Sequence, residues 1–303
     1  MDATMREQIA NFENYPKLLP LSDSLSFGVH MSIAGGYVEL LKQMTSLNAT
    51  ASAFFTSQPR GWNIKFPELN KTQAFYEGCL AKNLCRNQFL AHAPYLINVC
   101  SDSEDTRAKS SDRLLLDAFI ARLLGLDRLN FHPGSSSDSA GYIKIAQNIN
   151  DVHAIIPDIV LVLETVAECN SKTTIGSSFA SLKQIIDLVT DKSRVGVCID
   201  TQHTFAGGFA PESSFGDDLL NLFKKEIGAE FLFGVHVNGS LTKYKSGNDR
   251  HQNLHMGELP LKEIEKFIKS LKAEGLKVPC VAETPNADFY KDEIQLMKTW
   301  AEQ

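Results

Sequence analysis

Eight short apolar runs recur along the chain, and seven of them lead directly into a histidine, an aspartate or a glutamate. The runs are Leu25–Val29, Ala51–Phe55, Gln88–Ala91, Arg128–Phe131, Ile159–Leu163, Val195–Ile199, Phe231–Val235 and Val278–Ala282. Several are continuous rather than alternating, as parallel strands covered on both faces require. Between them, Gly36–Met44, Ser110–Leu126, Ser178–Val189, Gly216–Ile227 and Leu261–Leu271 have the apolar spacing of helices. Eight strands alternating with helices predict an α/β fold, a single (β/α)8 TIM barrel, over an open sheet. The chain has 303 residues, 43% of them hydrophobic, enough for one large core. No linker or composition break divides it, so residues 24–303 form one barrel domain. Residues 1–23 precede it as an extension that is either flexible or a short helix on Met5, Ile9 and Phe12.

In such a barrel the C-terminal strand ends share one face, which holds the active site. The residues after the runs are His30, His92, His132, Glu164, Asp200, His236 and Glu283. IDTQH adds His203, and NDRH adds Asp249 and His251, whose spacing turns both side chains the same way in an extended segment. Four carboxylates (Glu164, Asp200, Asp249, Glu283) and five imidazoles (His92, His132, His203, His236, His251) then converge. Left unpaired, they would repel and resist desolvation. Nine nitrogen and oxygen donors without a thiolate suit two or three zinc, manganese or iron ions. Any one of these residues alone is as well explained by a helix cap or a polar surface; the joint placement is not. His30 reads as an orienting or phosphate-contacting group.

Composition excludes several classes. The six cysteines include no CxxC pair, and read as free thiols in a reducing, intracellular compartment, cytoplasm or nucleus. No stretch approaches the ~20 apolar residues of a membrane span. The N-terminus lacks an apolar signal core.

The matching order of GVHMSIAGG (28–36), FFTSQPRGW (54–62), AHAPYLIN (91–98), NFHPGS (130–135), VLETVA (162–167), RVGVCIDTQHTFAGG (194–208), GVHVNGS (234–240), DRHQNLHMGE (249–258) and AETP (282–285) resembles the endonuclease IV family of abasic-site endonucleases. The resemblance spans nearly the whole chain from about residue 24. It implies three zinc ions. His92 and His132 would hold one, with Glu164 bridging to a second held by Asp200, His236 and Glu283. His203, Asp249 and His251 would hold the third. It implies duplex DNA as partner, cut 5' to an abasic site to leave a 3'-hydroxyl, and trimming of blocked 3' ends. Arg60 and Tyr95 match positions that enter the DNA at the lesion. The chain departs from the family at Gly61, where many members have Gln, at Gly239, where Asp is common, and in TVAECNSKTT after Glu164. The segment after Gly239 is also longer than usual.

Zinc would turn water, a poor nucleophile, largely into hydroxide. Glu164 and Glu283 would act with it, Glu283 also as proton acceptor. An abasic nucleotide has lost its own stacking, so extruding it costs less. Arg60, Trp62 and Tyr95 have the chemistry to fill the gap. The net charge of −6 argues mildly against DNA. Three divalent ions would offset it, and Arg60, Lys65, Lys243, Lys245 and Arg250 would supply a basic rim. The default expectation is a monomer. Two rivals differ in class: a sugar isomerase or epimerase on a related metal barrel, and a non-catalytic DNA-binding protein that keeps metals for stability.

Overall fold

The computed structural model describes every residue except 60, 63, 64 and 169–172. Strands β1 (Ser26–His30), β2 (Ala51–Phe55), β3 (Phe89–His92), β4 (Arg128–Phe131), β5 (Val160–Glu164), β6 (Val195–Asp200) and β7 (Leu232–His236) come first. A two-stranded antiparallel hairpin follows, β8 (Gly239–Ser240) with β9 (His251–Gln252), and then β10 (Pro279–Ala282). β1 to β7 and β10 close into one parallel barrel, sealed by β1 against β10. Each of the eight apolar runs is a strand, its ends shifted by at most one residue.

The helices are α1 (Ala3–Ala10), α2 (Tyr37–Ser46), α3 (Leu69–Ala81), α4 (Glu104–Leu123), α5 (Ala140–Ile155), α6 (Phe179–Leu188), α7 (Thr201–Gly207), α8 (Phe215–Glu226), α9 (Leu261–Ala273) and α10 (Tyr290–Glu302). The five helices read from spacing are α2, α4, α6, α8 and α9. That reading passed over α3, α5, α7 and α10. In α3 and α10 the buried stripe is narrow, Thr72, Phe75 and Cys79 in one and Ile294, Met297 and Trp300 in the other. Such stripes stand out poorly against polar neighbours.

The strand pleat divides the apolar residues between two cores. Outward side chains such as Phe54, Phe89, Phe131, Leu163, Ile199 and Val235 pack beneath the helices. Ala51, Ala53, Leu90, Val160, Val162, Cys198 and Val281 form a separate cluster, with Phe233 against it. Two residues beyond Leu90, Val162, Cys198 and Val281, the same inward side carries His92, Glu164, Asp200 and Glu283. On β7 the corresponding inward position is Gly234, where an added Cβ would lie 2.9 Å from the Leu90 side chain. Two residues further on is His236. The alternation that fills the barrel thus also aims the metal-capable side chains.

The extension is docked against α4. Ile9 and Leu19 are fully buried. Phe12 and Tyr15 meet Phe119 edge-on, with ring centroids 5.2 and 5.9 Å away. Arg122 donates through both terminal nitrogens to the Pro16 carbonyl at 3.1 Å. Among the described residues, no helix is long and apolar enough to cross a membrane.

α4 also holds the segment after β2. The buried Arg113 guanidinium bonds Asp117 at 3.1 Å, the Gly61 carbonyl at 2.7 Å and the Gln58 carbonyl at 2.9 Å. Asp117 accepts from the Thr56 and Ser57 hydroxyls at 2.6 and 2.7 Å. Removing one member of a buried pair strands the other. Asp117→Ala is therefore expected to cost about 3–5 kcal/mol of unfolding free energy, read from the denaturant midpoint. A loss below ~1 kcal/mol would show that the pair does not constrain the fold.

Candidate metal centre

At the barrel mouth the expected residues meet in three adjoining clusters. His92, His132 and Glu164 form one, and Glu164, Asp200, His236 and Glu283 the second. Asp200, His203 and His251 form the third. Within each cluster the donor atoms lie within 4.8 Å of one another. Glu164 belongs to two clusters, and so does Asp200. Asp249 joins the third, with its carboxylate oxygens 3.3 Å from His203 Nε2 and 3.4 Å from His251 Nε2. All nine residues expected as ligands are therefore together.

Asp200 combines its cap role with a place in the clusters. Its Oδ1 caps α7 by accepting from the His203 amide at 2.9 Å. Its Oδ2 accepts from the Asn238 side chain at 2.8 Å and lies 3.6 Å from His251 Nε2. α7 itself lasts only two turns, ending at Gly208 in the left-handed conformation (φ 71°) that glycine tolerates.

Backbone carbonyls orient three of the imidazoles. His92 Nδ1 lies 2.5 Å from the Ala93 carbonyl, His203 Nδ1 2.8 Å from that of Thr165, and His251 Nδ1 3.2 Å from that of Glu283. A carbonyl only accepts, so each Nδ1 carries a proton, and Nε2 is the nitrogen left to meet a cation once it has no proton of its own. His203 Nε2 and His251 Nε2 consequently face each other at 3.5 Å, with Asp249 against both. Two facing ring nitrogens beside a carboxylate, one of them able to give up its proton, make an environment for a cation, so the donor set fits divalent metal ions.

Three side chains that single-residue reasoning passed over brace the centre. Asn130, two residues before His132 on β4, donates a short hydrogen bond to Glu164. Asn238 reaches both Asp200 and the Glu283 amide, the latter at 2.7 Å. The Thr165 hydroxyl accepts from the Asp200 amide at 2.9 Å. Strand parity was a usable signal for Asn130 and Asn238, each two positions from a histidine. The bond from Thr165 is visible only in three dimensions.

His30 bonds Glu283 Oε1 through Nδ1 at 2.6 Å, and its buried Nε2 has no hydrogen-bond partner among the described residues. The Tyr95 ring lies 5.4 Å from both His92 and His132 and is 56% exposed. Trp62 is partly exposed, and Lys65, Lys243, Lys245 and Arg250 are exposed. Arg60 lies outside the described residues. A cleft of about 280 Å³ opens here between Tyr95, His132, His203 and Asp249. A larger one, about 740 Å³, lies against α1 beside Glu7, Asn11 and Phe66. It holds none of the metal-capable clusters, so chemistry rather than volume marks the site.

A closed parallel barrel with a histidine and carboxylate centre at its C-terminal mouth defines a metalloenzyme of the TIM-barrel class. Residues 47–300 match the family profile described as a xylose isomerase-like TIM barrel. A probable endonuclease 4 of Chlorobium phaeobacteroides is 33% identical over 280 residues, covering 91% of this chain and 97% of that protein. An endonuclease 4 homolog of Dictyostelium discoideum is 30% identical over 285 residues; the match covers 92% of this chain but only 52% of that longer protein. The crystal structure of endonuclease IV from Thermus thermophilus superposes with a TM-score of 0.78 at 24% identity, covering 91% and 99% of the two chains. The chain belongs to the endonuclease IV family, whose class is the AP endonucleases, zinc-dependent phosphodiesterases.

The protein groups set the charge that an incoming cation meets. Burial lowers the His203 pKa, but Asp200, Asp249 and Glu164 outweigh it and push the ring up to about 10. Burial raises Asp249, yet His203 and His251 hold it at about 2. His203 therefore holds a proton at neutral pH that a metal must displace. Higher pH removes that proton, so affinity rises as pH climbs towards about 10. Zinc added to chelator-treated protein in weak buffer is expected to release protons, and its apparent affinity to increase from about pH 6 to pH 9. Proton-neutral, pH-independent binding would remove His203 from the ligand set.

Proposed function

We propose that this chain hydrolyses the backbone of duplex DNA 5' to an abasic site, leaving a 3'-hydroxyl, and that it also trims blocked 3' ends. Three zinc ions occupy the clusters in this reading, and the enzyme works as a monomer. The single observation that carries it is the contiguity of the clusters through Glu164 and Asp200, which suits several ions acting on one phosphodiester. Five imidazoles, four carboxylates and no thiolate favour zinc, with manganese or iron as substitutes. Bound divalent ions supply Lewis acidity at the phosphoryl oxygens and acidify water.

The chain's own groups do the rest. His92 and His132 would hold one ion with Glu164, and Asp200, His236 and Glu283 would hold a second beside it. His203, Asp249 and His251 hold the third. Glu283 accepts a proton at Oε2, while its Oε1 is held by His30 Nδ1 at 2.6 Å. That bond leaves His30 Nε2 available to a phosphate oxygen. Tyr95 and Trp62 offer exposed rings to a vacated stack, and Arg60 completes the wedge. Lys243, Lys245 and Arg250, all on the exposed segment between β8 and β9, meet phosphates.

The histidine-rich third cluster favours phosphodiester chemistry over the sugar isomerase reading, which needs only one or two ions. The test is a duplex with one abasic-site analogue, with zinc assayed on the same preparation. Incision 5' to the analogue is expected, with Glu164→Gln lowering the rate by at least ~100-fold. Full zinc loading without incision, together with turnover of an aldose or ketose, would replace this reading with the isomerase one.

A further inference from the structure

α7 and the segment between β8 and β9 carry opposite halves of the third cluster. His203 lies on α7, and Asp249 and His251 lie at the far end of the segment. Residues 241–250 make a long connection for so small a hairpin. Strand pairing fixes only its base, where Gly239 faces Gln252 and Ser240 faces His251. The body is held by α7 and the turn after it. The Gly247 amide donates to the Ala206 carbonyl at 2.9 Å, and the Tyr244 hydroxyl to that of Ala210 at 2.9 Å. The Tyr244 ring stands edge-on to Phe205 at 5.5 Å.

One side chain of α7 reaches the residue just before Asp249. Gln202 Nε2 donates to the Asn248 carbonyl at 2.9 Å and to Ser240 Oγ at 3.3 Å. The other donor to that carbonyl, Thr242 Oγ1 at 3.1 Å, belongs to the segment itself. On the downstream side of Asp249, the Arg250 carbonyl accepts from the Leu241 amide at 2.9 Å. Gln202 is wholly buried, and its Oε1 has no hydrogen-bond partner among the described residues. Burying a half-satisfied amide is unfavourable, and a purely packing role would be met by an apolar side chain.

We infer that Gln202 is a positioning residue for the third metal ion. It ties the Asn248 carbonyl to the helix that carries His203, and so sets the distance from His203 to Asp249 and His251. This rests on the reading of the third cluster as a metal site. Asp249 is half exposed, and apart from its contacts with His203 and His251 its place depends on the backbone on either side. The extended segment is then a bracket for the metal, with its basic residues carried on the outer side.

The experiment is zinc content and zinc release to a chromogenic chelator, measured on the full chain without DNA. The wild-type protein is expected to hold three ions. Gln202→Leu removes the donor, and Gln202→Glu keeps the shape but places an acceptor against the carbonyl. Both are expected to keep two ions and to release the third at least about tenfold faster. Wild-type content and release in both variants would overturn the inference. If Gln202→Leu does not fold, Thr242→Val weakens the same carbonyl from the exposed side. It should quicken the same release phase by a smaller factor, and a wild-type rate there also overturns the inference. A wild-type protein without a third ion would instead sink the metal reading on which this one stands, and the wild-type count tells the two failures apart.

Discussion

Glu164 is a carboxylate with no exposure to water, and the barrel mouth is organised around that fact. Burial alone would push it towards the neutral acid; His236 and His132 reverse that and hold its pKa well below the usual range. His92 lies 3.1 Å from one of its oxygens and His236 3.0 Å from the other. A buried anion needs partners of this kind, because desolvating it unpaired is prohibitive. Glu283 repeats the pattern with His30 and His236, and Asp200 with His236, His203 and His251. His203, His236 and His251 thus each serve more than one carboxylate. The clusters are joined through Glu164 and Asp200 and through the imidazoles they share, so the centre is contiguous rather than a set of separate sites.

That unit was readable from the sequence because strand geometry does the convergence. An inward position on a parallel barrel strand repeats every two residues, and the last one before the loop lies at the mouth. Apolar runs that stop at His, Glu or Asp therefore announce both the fold and six of the nine donors. What lay beyond reach was anything set by the path of a loop. The spacing of Asp249 and His251 indicated that they turn together. It did not indicate that α7 would clamp the residue before them, because a bond from Gln202 to a carbonyl depends on how a ten-residue segment folds back. The helices α3 and α10 escaped for a different reason: each buries only a narrow apolar stripe.

The extension shows the same limit from the other side. Met5, Ile9 and Phe12 suggested either a short helix or a frayed end. The helix has a weak apolar face of its own, and only Ile9 is buried within it. Its order comes from α4, where Phe119 meets Phe12, Tyr15 and Phe66 at 5.2, 5.9 and 5.5 Å. Phe66 belongs to the stretch between β2 and α3 that also contains Trp62. One face of α4 therefore supports both the extension and the loop proposed to enter DNA. Arg113, one and a half turns earlier on the same helix, fixes the near end of that loop through the Gly61 and Gln58 carbonyls. Gln58, Gly61 and Phe66 are thus all fixed to the same helix.

The acidic composition is the remaining conflict with a polyanionic substrate, and location resolves it. The formal net charge is −6, and four of the negative charges belong to Glu164, Asp200, Asp249 and Glu283. Those four point at imidazoles and at the space a cation would fill. Several cations are equally uninformative about DNA: Arg113, Arg122 and Arg128 are buried and tied to carbonyls or acids inside the fold. The cleft itself is lined by His132, His203, Glu168 and Asp249, and Lys243, Lys245 and Arg250 are exposed on the segment between β8 and β9 that leads into it. Screening confines the influence of distant surface charge to about 8–10 Å at ordinary ionic strength. Acids on the far side of a barrel therefore contribute little to the field at the metal centre, and the total charge of the chain is a poor guide to its partner.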